Sequence, residues 1–213
     1  MKDKHGFSRN RLCLWVCLPL LLLQGCGTQT TGTSSRMLLQ EEGLGWLLGD
    51  AINQQYQGGG TLTLILFPEL DDSTREIAES RLRGFKNGLN GSNWSLTTLD
   101  PLDAVQADEL RPRISDVGLG PDAFAQLLRE RTGNGPVASL ISISSLTGQE
   151  LSSVPDLYMI SYMIDYVSWV ETAPAGTRIT VASVKKTAAP GTDFESMKPA
   201  AWAETYGSRQ IFP

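Results

Sequence analysis

From Thr61 onward, short apolar runs alternate with longer segments in which apolar residues recur every three or four positions. The runs Thr61–Phe67 (TLTLILF), Trp94–Leu99, Val137–Ser145 (VASLISISS), Leu157–Ile164 (LYMISYMI) and Arg178–Val184 (RITVASV) have the β-branched and apolar content of buried strands. Between the first two, Ala78, Leu82, Phe85 and Leu89 share one helical face. That helix is expected to open on a capping box, with the Ser73 hydroxyl accepting an orphan amide and Glu76 reaching back, and to end at Asn90-Gly91. Asp103–Leu110 fits a short helix, and Asp122–Arg131 a better one behind Pro121. Asp165–Glu171 fits a short helix or loop, and Pro199–Tyr206 a last helix before an extended end. Strands separated by helices predict an α/β fold, a doubly wound and mostly parallel five-stranded sheet. Right-handed crossovers suit the order 2-1-3-4-5, with a ligand crevice beyond the carboxyl ends of strands one and three.

Upstream, Leu38, Leu44, Leu47, Leu48, Ala51 and Ile52 give Met37–Tyr56 a helical stripe. Gly43, Gly45 and Gly49 oppose it, each by about 1 kcal/mol relative to Ala. The stripe reads as a helix packed on the domain. With Trp46 as an interfacial anchor it also reads as a membrane- or partner-docking helix, although it lacks a Lys/Arg face. Gly58-Gly59-Gly60 then interrupts the chain; no Gly-Lys-Ser/Thr follows, so this is no phosphate loop.

The N-terminus has a different pattern. Lys2, Lys4, Arg9 and Arg11 precede a nearly continuous apolar run, Leu12 to Leu23, then Leu23-Gln24-Gly25-Cys26. The run is shorter than the about 20 apolar residues of a membrane span, and the whole has the form of a secretory signal. Its Leu-x-Gly-Cys ending resembles the bacterial lipobox. That resemblance implies a diacylglycerol on the Cys26 thiol, cleavage just before Cys26, and a fatty acid such as palmitate on the new amino group. Several acyl chains on one residue anchor a protein stably without a spanning helix. Gly27, where an Asp would retain a lipoprotein at the inner membrane, implies the periplasmic face of the outer membrane in a Gram-negative envelope. Thr28–Arg36 is polar and rich in Ser and Thr, a tether with a span of roughly 15–18 Å. The expected organisation is a signal at 1–25, a lipidated tether at 26–36, a helical segment with its glycine linker at 37–60, and an α/β domain with a C-terminal tail at 61–213.

Composition narrows the chemistry. With 41% hydrophobic, 19% charged and 8% aromatic residues the 213-residue chain is globular in type, and its net charge of −5 argues against a nucleic-acid partner. Cleavage before Cys26 would discard His5, Cys13 and Cys17 and commit the last cysteine to lipid. No Ser-His-Asp triad, Cys-His pair, His-bearing zinc site or internal disulfide is then available. The chain is therefore expected to be no enzyme, with no catalytic residue, no metal and no cofactor.

The run TLTLILFPELDDSTREIAESRLRGFKNGLNG resembles the opening of a type I periplasmic sugar-binding protein: a first strand, a polar loop, and a helix ending in Gly84-Phe85-Lys86-Asn87-Gly88-Leu89. The strand VASLISISS sits where that family places an apolar strand before a ligand loop. The resemblance implies one flavodoxin-like lobe of a periplasmic-binding-protein fold, carried by a bacterial lipoprotein of the cell envelope. Its main reading is a lipid-anchored, non-catalytic interaction or scaffold module with an envelope protein partner. The alternative is a small-molecule, sugar-like binder whose crevice is completed by a dimer or a partner. A further alternative is a carboxylate-dependent hydrolase drawing on Glu69, Asp71 and Asp165.

The candidate ligand residues follow from the expected crevice. Glu69, Asp71 and Asp72 follow strand one and can accept sugar hydroxyls or meet a hard cation, although no EF-hand spacing exists; equally they can serve the helix start. Ser144 and Ser145 lie at the mouth of strand three. Tyr162, Asp165 and Trp169, with Tyr158 and Tyr166 nearby, can form stacking faces or core; Tyr158 and Tyr162 share strand parity. Trp202 and Tyr206, four apart, would meet on one helix face and dock the tail. An exposed apolar patch would favour the scaffold reading, and a concave polar and aromatic crevice the binder. Cys26→Ala is expected to block processing: intact mass would show residues 1–25 retained and the acyl mass absent, whereas the wild-type chain would show the reverse.

Overall fold

The computed structural model describes residues 33–91, 93–106, 118–129, 134–143, 154, 156–162, 177–186 and 192–212. The leader, Cys26, the tether up to residue 32, and the segment containing Asp165, Tyr166 and Trp169 lie outside them, as do Ser144 and Ser145. The described residues belong to one compact unit, Gly32–Pro213.

The main sheet is built from β1 (Gly60–Ile65), β2 (Trp94–Leu99), β4 (Val137–Ser139), β6 (Asp156–Ile160), β7 (Arg178–Val184) and β8 (Gly207–Phe212), in the order β2-β1-β4-β6-β7-β8. The first five are parallel and reproduce the expected 2-1-3-4-5 arrangement. One row runs from Leu64 through Ala138, Tyr158 and Thr180 to Ile211. A sixth, antiparallel strand corrects the five-stranded expectation. The tail helix ends at Tyr206, the strand starts at the next residue, and it runs antiparallel along β7, from Gly207 opposite Val184 to Phe212 opposite Ile179. A separate parallel pair joins β3 (Gly118–Leu119) to β5 (Ser142–Ile143).

Four α-helices are described: α1 (Ser35–Gln55), α2 (Asp72–Gly88), α3 (Pro121–Arg129) and α4 (Pro199–Tyr206), with a 3₁₀ turn at Pro101–Asp103; the second half of the helix expected over Asp103–Leu110 lies outside the described residues. Strand order moves one way from β1 to β2 and the other way from β2 to β4. Right-handed crossovers therefore set α2 and α3 on opposite faces. Leu62 to Ile65 are accordingly buried on both faces of the central strand. No helix among the described residues is long and apolar enough to cross a membrane.

Two local expectations are corrected. Asp71, not Ser73, caps α2: its carboxylate accepts from the Thr74 amide at 2.9 Å while the Thr74 hydroxyl accepts from the Asp71 amide at 2.8 Å. Glu76 instead accepts from the Thr33 amide at 3.1 Å. The third strand does not run unbroken from Val137. It leaves the main sheet at Leu140, where the Ser139 hydroxyl donates to the Ile141 carbonyl at 2.7 Å, and resumes as β5 against β3.

The glycines that count against α1 as an isolated helix are the reason it packs. A Cβ on Gly45 would lie 2.1 Å from the Arg81 carbonyl oxygen, and one on Gly49 2.2 Å from that of Phe85. From α2, a Cβ on Gly84 would lie 1.9 Å from the Glu42 carbonyl oxygen and one on Gly88 2.3 Å from that of Trp46. The two backbones touch along GWLLG and GFKNG, leaving no room for any side chain between them. Leu44, Leu48 and Ile52, fully buried, bring α1 into the common core, and Trp46 packs against it too. Helix α4 docks on α1 through Trp202, whose ring would meet a Cβ on Gly43 at 2.1 Å.

Gly84→Ala tests this seam by its sign. Intrinsic propensity alone would raise stability by about 1 kcal/mol. Overpacking against Glu42 is expected to lower it instead, by about 1–3 kcal/mol in urea unfolding.

Candidate functional site

The carboxyl ends of β1, β4 and β6 deliver Phe67, Leu140 and Tyr162. Arg81 of α2 joins all three. Its guanidinium donates through Nε to Glu41 Oε2 at 2.7 Å, through Nη1 to the Leu140 carbonyl, and through Nη2 to the Tyr162 hydroxyl oxygen at 3.1 Å. The Tyr162 hydroxyl donates in turn to Glu41 at 2.6 Å, and the Phe67 ring lies 4.2 Å from the guanidinium carbon. Arg81 is 3% and Glu41 4% exposed, so the ion pair is shielded from water. Burial alone would lower the Arg81 pKa, but Tyr162 and Glu41 hold it above its usual value and the cation persists. Burial pushes the Tyr162 hydroxyl well above its usual 10.0; Arg81 opposes the rise and Glu41 adds to it. Tyr162 therefore remains a protonated donor. The expected crevice position is closed on the α1–α2 side by this network, which ties helices to strand ends.

A cavity of about 270 Å³ opens next along the same edge, beyond β6 and β7. The first turns of α1 supply Arg36 and Gln40, Tyr162 follows β6, and Val184 and Lys186 mark the end of β7. Helix α4 supplies Trp202 and Tyr206, their ring centroids 6.3 Å apart and tilted by 40°. Phe194 completes the lining, 6.1 Å from Tyr206. Its turn is held by Asp193, which accepts from the Glu195 amide and the Ser196 hydroxyl, each at 2.9 Å. Those bonds, the Ser196 hydroxyl foremost, lower the Asp193 pKa. Arg36 lies over the Phe194 ring at 4.8 Å and Lys186 over Tyr206 at 5.4 Å. The arrangement offers ring faces, cations and an amide side chain to a small guest.

Of the residues expected at the site, Tyr162 lines this cavity. Glu69 is exposed ahead of α2. Asp71 is engaged as the helix cap, its pKa lowered first by the Thr74 amide and then by the Ser73 and Thr74 hydroxyls. Asp72 forms an exposed ion pair with Arg75 at 2.6 Å. Tyr158 is separated from Tyr162 because β6 ends at Ile160; it stays in the sheet, 2% exposed. Ser144, Ser145, Asp165 and Trp169 lie outside the described residues. No group of His, Cys, Asp and Glu able to hold a metal occurs among the described residues. Arg36, assigned to the tether by its composition, begins α1 and faces the cavity; Lys186 and Phe194 carry no pattern of their own. The available signal for Lys186 was its place two residues past the carboxyl end of the fifth parallel strand.

Two outcomes follow for the buried network. Arg81→Ala strands the Glu41 carboxylate and is expected to lower stability by about 3–5 kcal/mol in urea unfolding. The double change Glu41→Leu with Arg81→Met is expected to recover most of that loss. Tyr56, Tyr158 and Tyr162 all have pKa values raised above 10.0, by burial first, and the Tyr56 hydroxyl also donates to Asp156. Their protons bind more tightly in the folded chain, so this stability is present below about pH 10 and lost as pH climbs further. Tyrosinate absorbance from these residues is expected to appear together with alkaline unfolding, not ahead of it.

No protein-family model matches the chain, and no curated protein matches it. Among solved structures it is similar to the XylFII molecule, with 14% identity over 66% of this chain and 48% of that one, at a TM-score of 0.40. The same figures apply to a XylFII–LytSN complex. A sugar-binding protein of a sugar ABC transporter from Bacillus halodurans is similar at 10% identity over 67% of this chain and 45% of that one, TM-score 0.41. The chain spans about half the length of these structures.

Proposed function

We propose that the protein is a non-catalytic, lipid-anchored module of the cell envelope that binds a small, ring-bearing molecule at the carboxyl edge of its sheet. The observation that carries this reading is the aromatic cavity of about 270 Å³ between α1, β7 and α4. Small-molecule sites commonly measure about 300–1,000 Å³ and combine apolar or aromatic walls with a few polar groups. This cavity lies just below that range and suits a guest of monosaccharide or amino-acid size. Its rings supply stacking faces of the kind that sugars take.

Binding of a small molecule is favoured here over a broad protein-docking surface. Met37 and Ile211 are the large hydrophobic side chains exposed among the described residues, and two side chains do not make a docking patch of several hundred Å². The Leu-x-Gly-Cys ending at Cys26 supports the anchor. The loss of His5 with the leader supports binding over catalysis.

The test is a thermal-shift panel of monosaccharides, sugar acids and amino acids on the full chain in detergent. A saturable rise in Tm with one of them is expected. Tyr206→Ala or Phe194→Ala should weaken that ligand by about 3–10-fold, the worth of one ring contact. A flat panel overturns the reading.

A further inference from the structure

We infer that the cavity selects an acidic guest, a small ring-bearing molecule that carries a carboxylate or phosphate group. This rests on the proposed binding role and adds the ligand's charge. Five arginines, at 75, 81, 83, 178 and 209, each have a carboxylate within 4 Å: Asp72, Glu41, Glu42, Asp156 and Asp50. Such pairing is the ordinary outcome in a chain with 23 acidic and 18 basic residues. Arg36 and Lys186 depart from it. Their contacts are with rings, Phe194 and Tyr206, and no carboxylate partner occupies either among the described residues. Among the described residues, the cavity lining contains both cations and no Asp or Glu.

Two cations without counter-charge among the described residues, beside a concave, aromatic wall, create a local positive potential on a protein that is negative overall. Each cation is held over a ring face, which orients it without neutralising it. An anion entering the cavity would meet two charge-assisted donors while its ring contacts the aromatic wall. A neutral ring of the same shape would gain the wall contacts alone. Gln40, also in the lining, can hydrogen-bond either guest and so does not discriminate.

The experiment compares matched acids and neutral molecules on the full chain in detergent by calorimetric titration. The probes are glucuronate, glucose 6-phosphate and glucose, and phenylacetate, benzyl phosphate and benzyl alcohol. At least one acid is expected to bind about tenfold or more tightly than its neutral counterpart, with the preference shrinking as salt is added. Which acid binds distinguishes carboxylate from phosphate. Arg36→Gln combined with Lys186→Gln should bring acid and neutral affinities together; Arg36→Lys with Lys186→Arg should retain the preference. Both residues are exposed, and unchanged circular dichroism would show that the variants fold. Equal binding of acid and neutral forms overturns the inference and leaves the binding role standing. Binding of neither ring type, in any charge state, overturns both.

Discussion

Helices α1 and α2 meet backbone to backbone at four glycines, and this contact sets what the surrounding side chains can do. At that separation no water fits between the helices. Glu41, one turn before Gly45, and Arg81, one turn before Gly84 and Phe85, are drawn into the same dry seam. A buried carboxylate and a buried guanidinium are tolerable there only as partners, and they are paired at 2.7 Å. The glycines cost helix propensity; direct helix contact and an enclosed ion pair offset it.

The ion pair extends the seam to the sheet. Arg81 also takes the carbonyl of Leu140, where the third parallel strand breaks, and the hydroxyl of Tyr162, where the fourth ends. The carboxyl ends of three strands are thereby held against α1 and α2. The neighbouring edge, past β7, is not filled in this way. Side chains from α1, β7 and α4 surround an open volume there, with aromatic walls and two cations that have no carboxylate partner among the described residues.

Much of the sheet was legible in local patterning. Arg178–Val184 and Trp94–Leu99 are strands at the expected residues, and Pro199–Tyr206 is the expected helix. The order of the parallel strands follows from alternation and the handedness of crossovers. Where the reading departed from the structure, two local solutions had similar energy. Asp71 and Ser73 are both good caps, and the path of the chain after β1 decides which one meets the Thr74 amide. Leu140 and Ile141 are as apolar as a strand interior, yet Arg81 and Ser139 satisfy the backbone at the break and relieve the need for a ladder. β8 is mostly exposed, so GSRQIF shows little of the alternation that marks a buried strand.

Among the described residues, the candidate site was legible in Tyr162. Arg36, Phe194 and Lys186 come from three distant stretches, and no spacing within any of them encodes their meeting. By itself the sequence determined the parallel α/β architecture, because that depends on residue type and on periodicity over a few turns. Tertiary structure alone decided that the glycines are contacts and not defects, that Glu41 belongs to Arg81, and that two cations remain beside aromatic rings. Those facts depend on which surfaces are pressed together and dried, and long-range packing sets that.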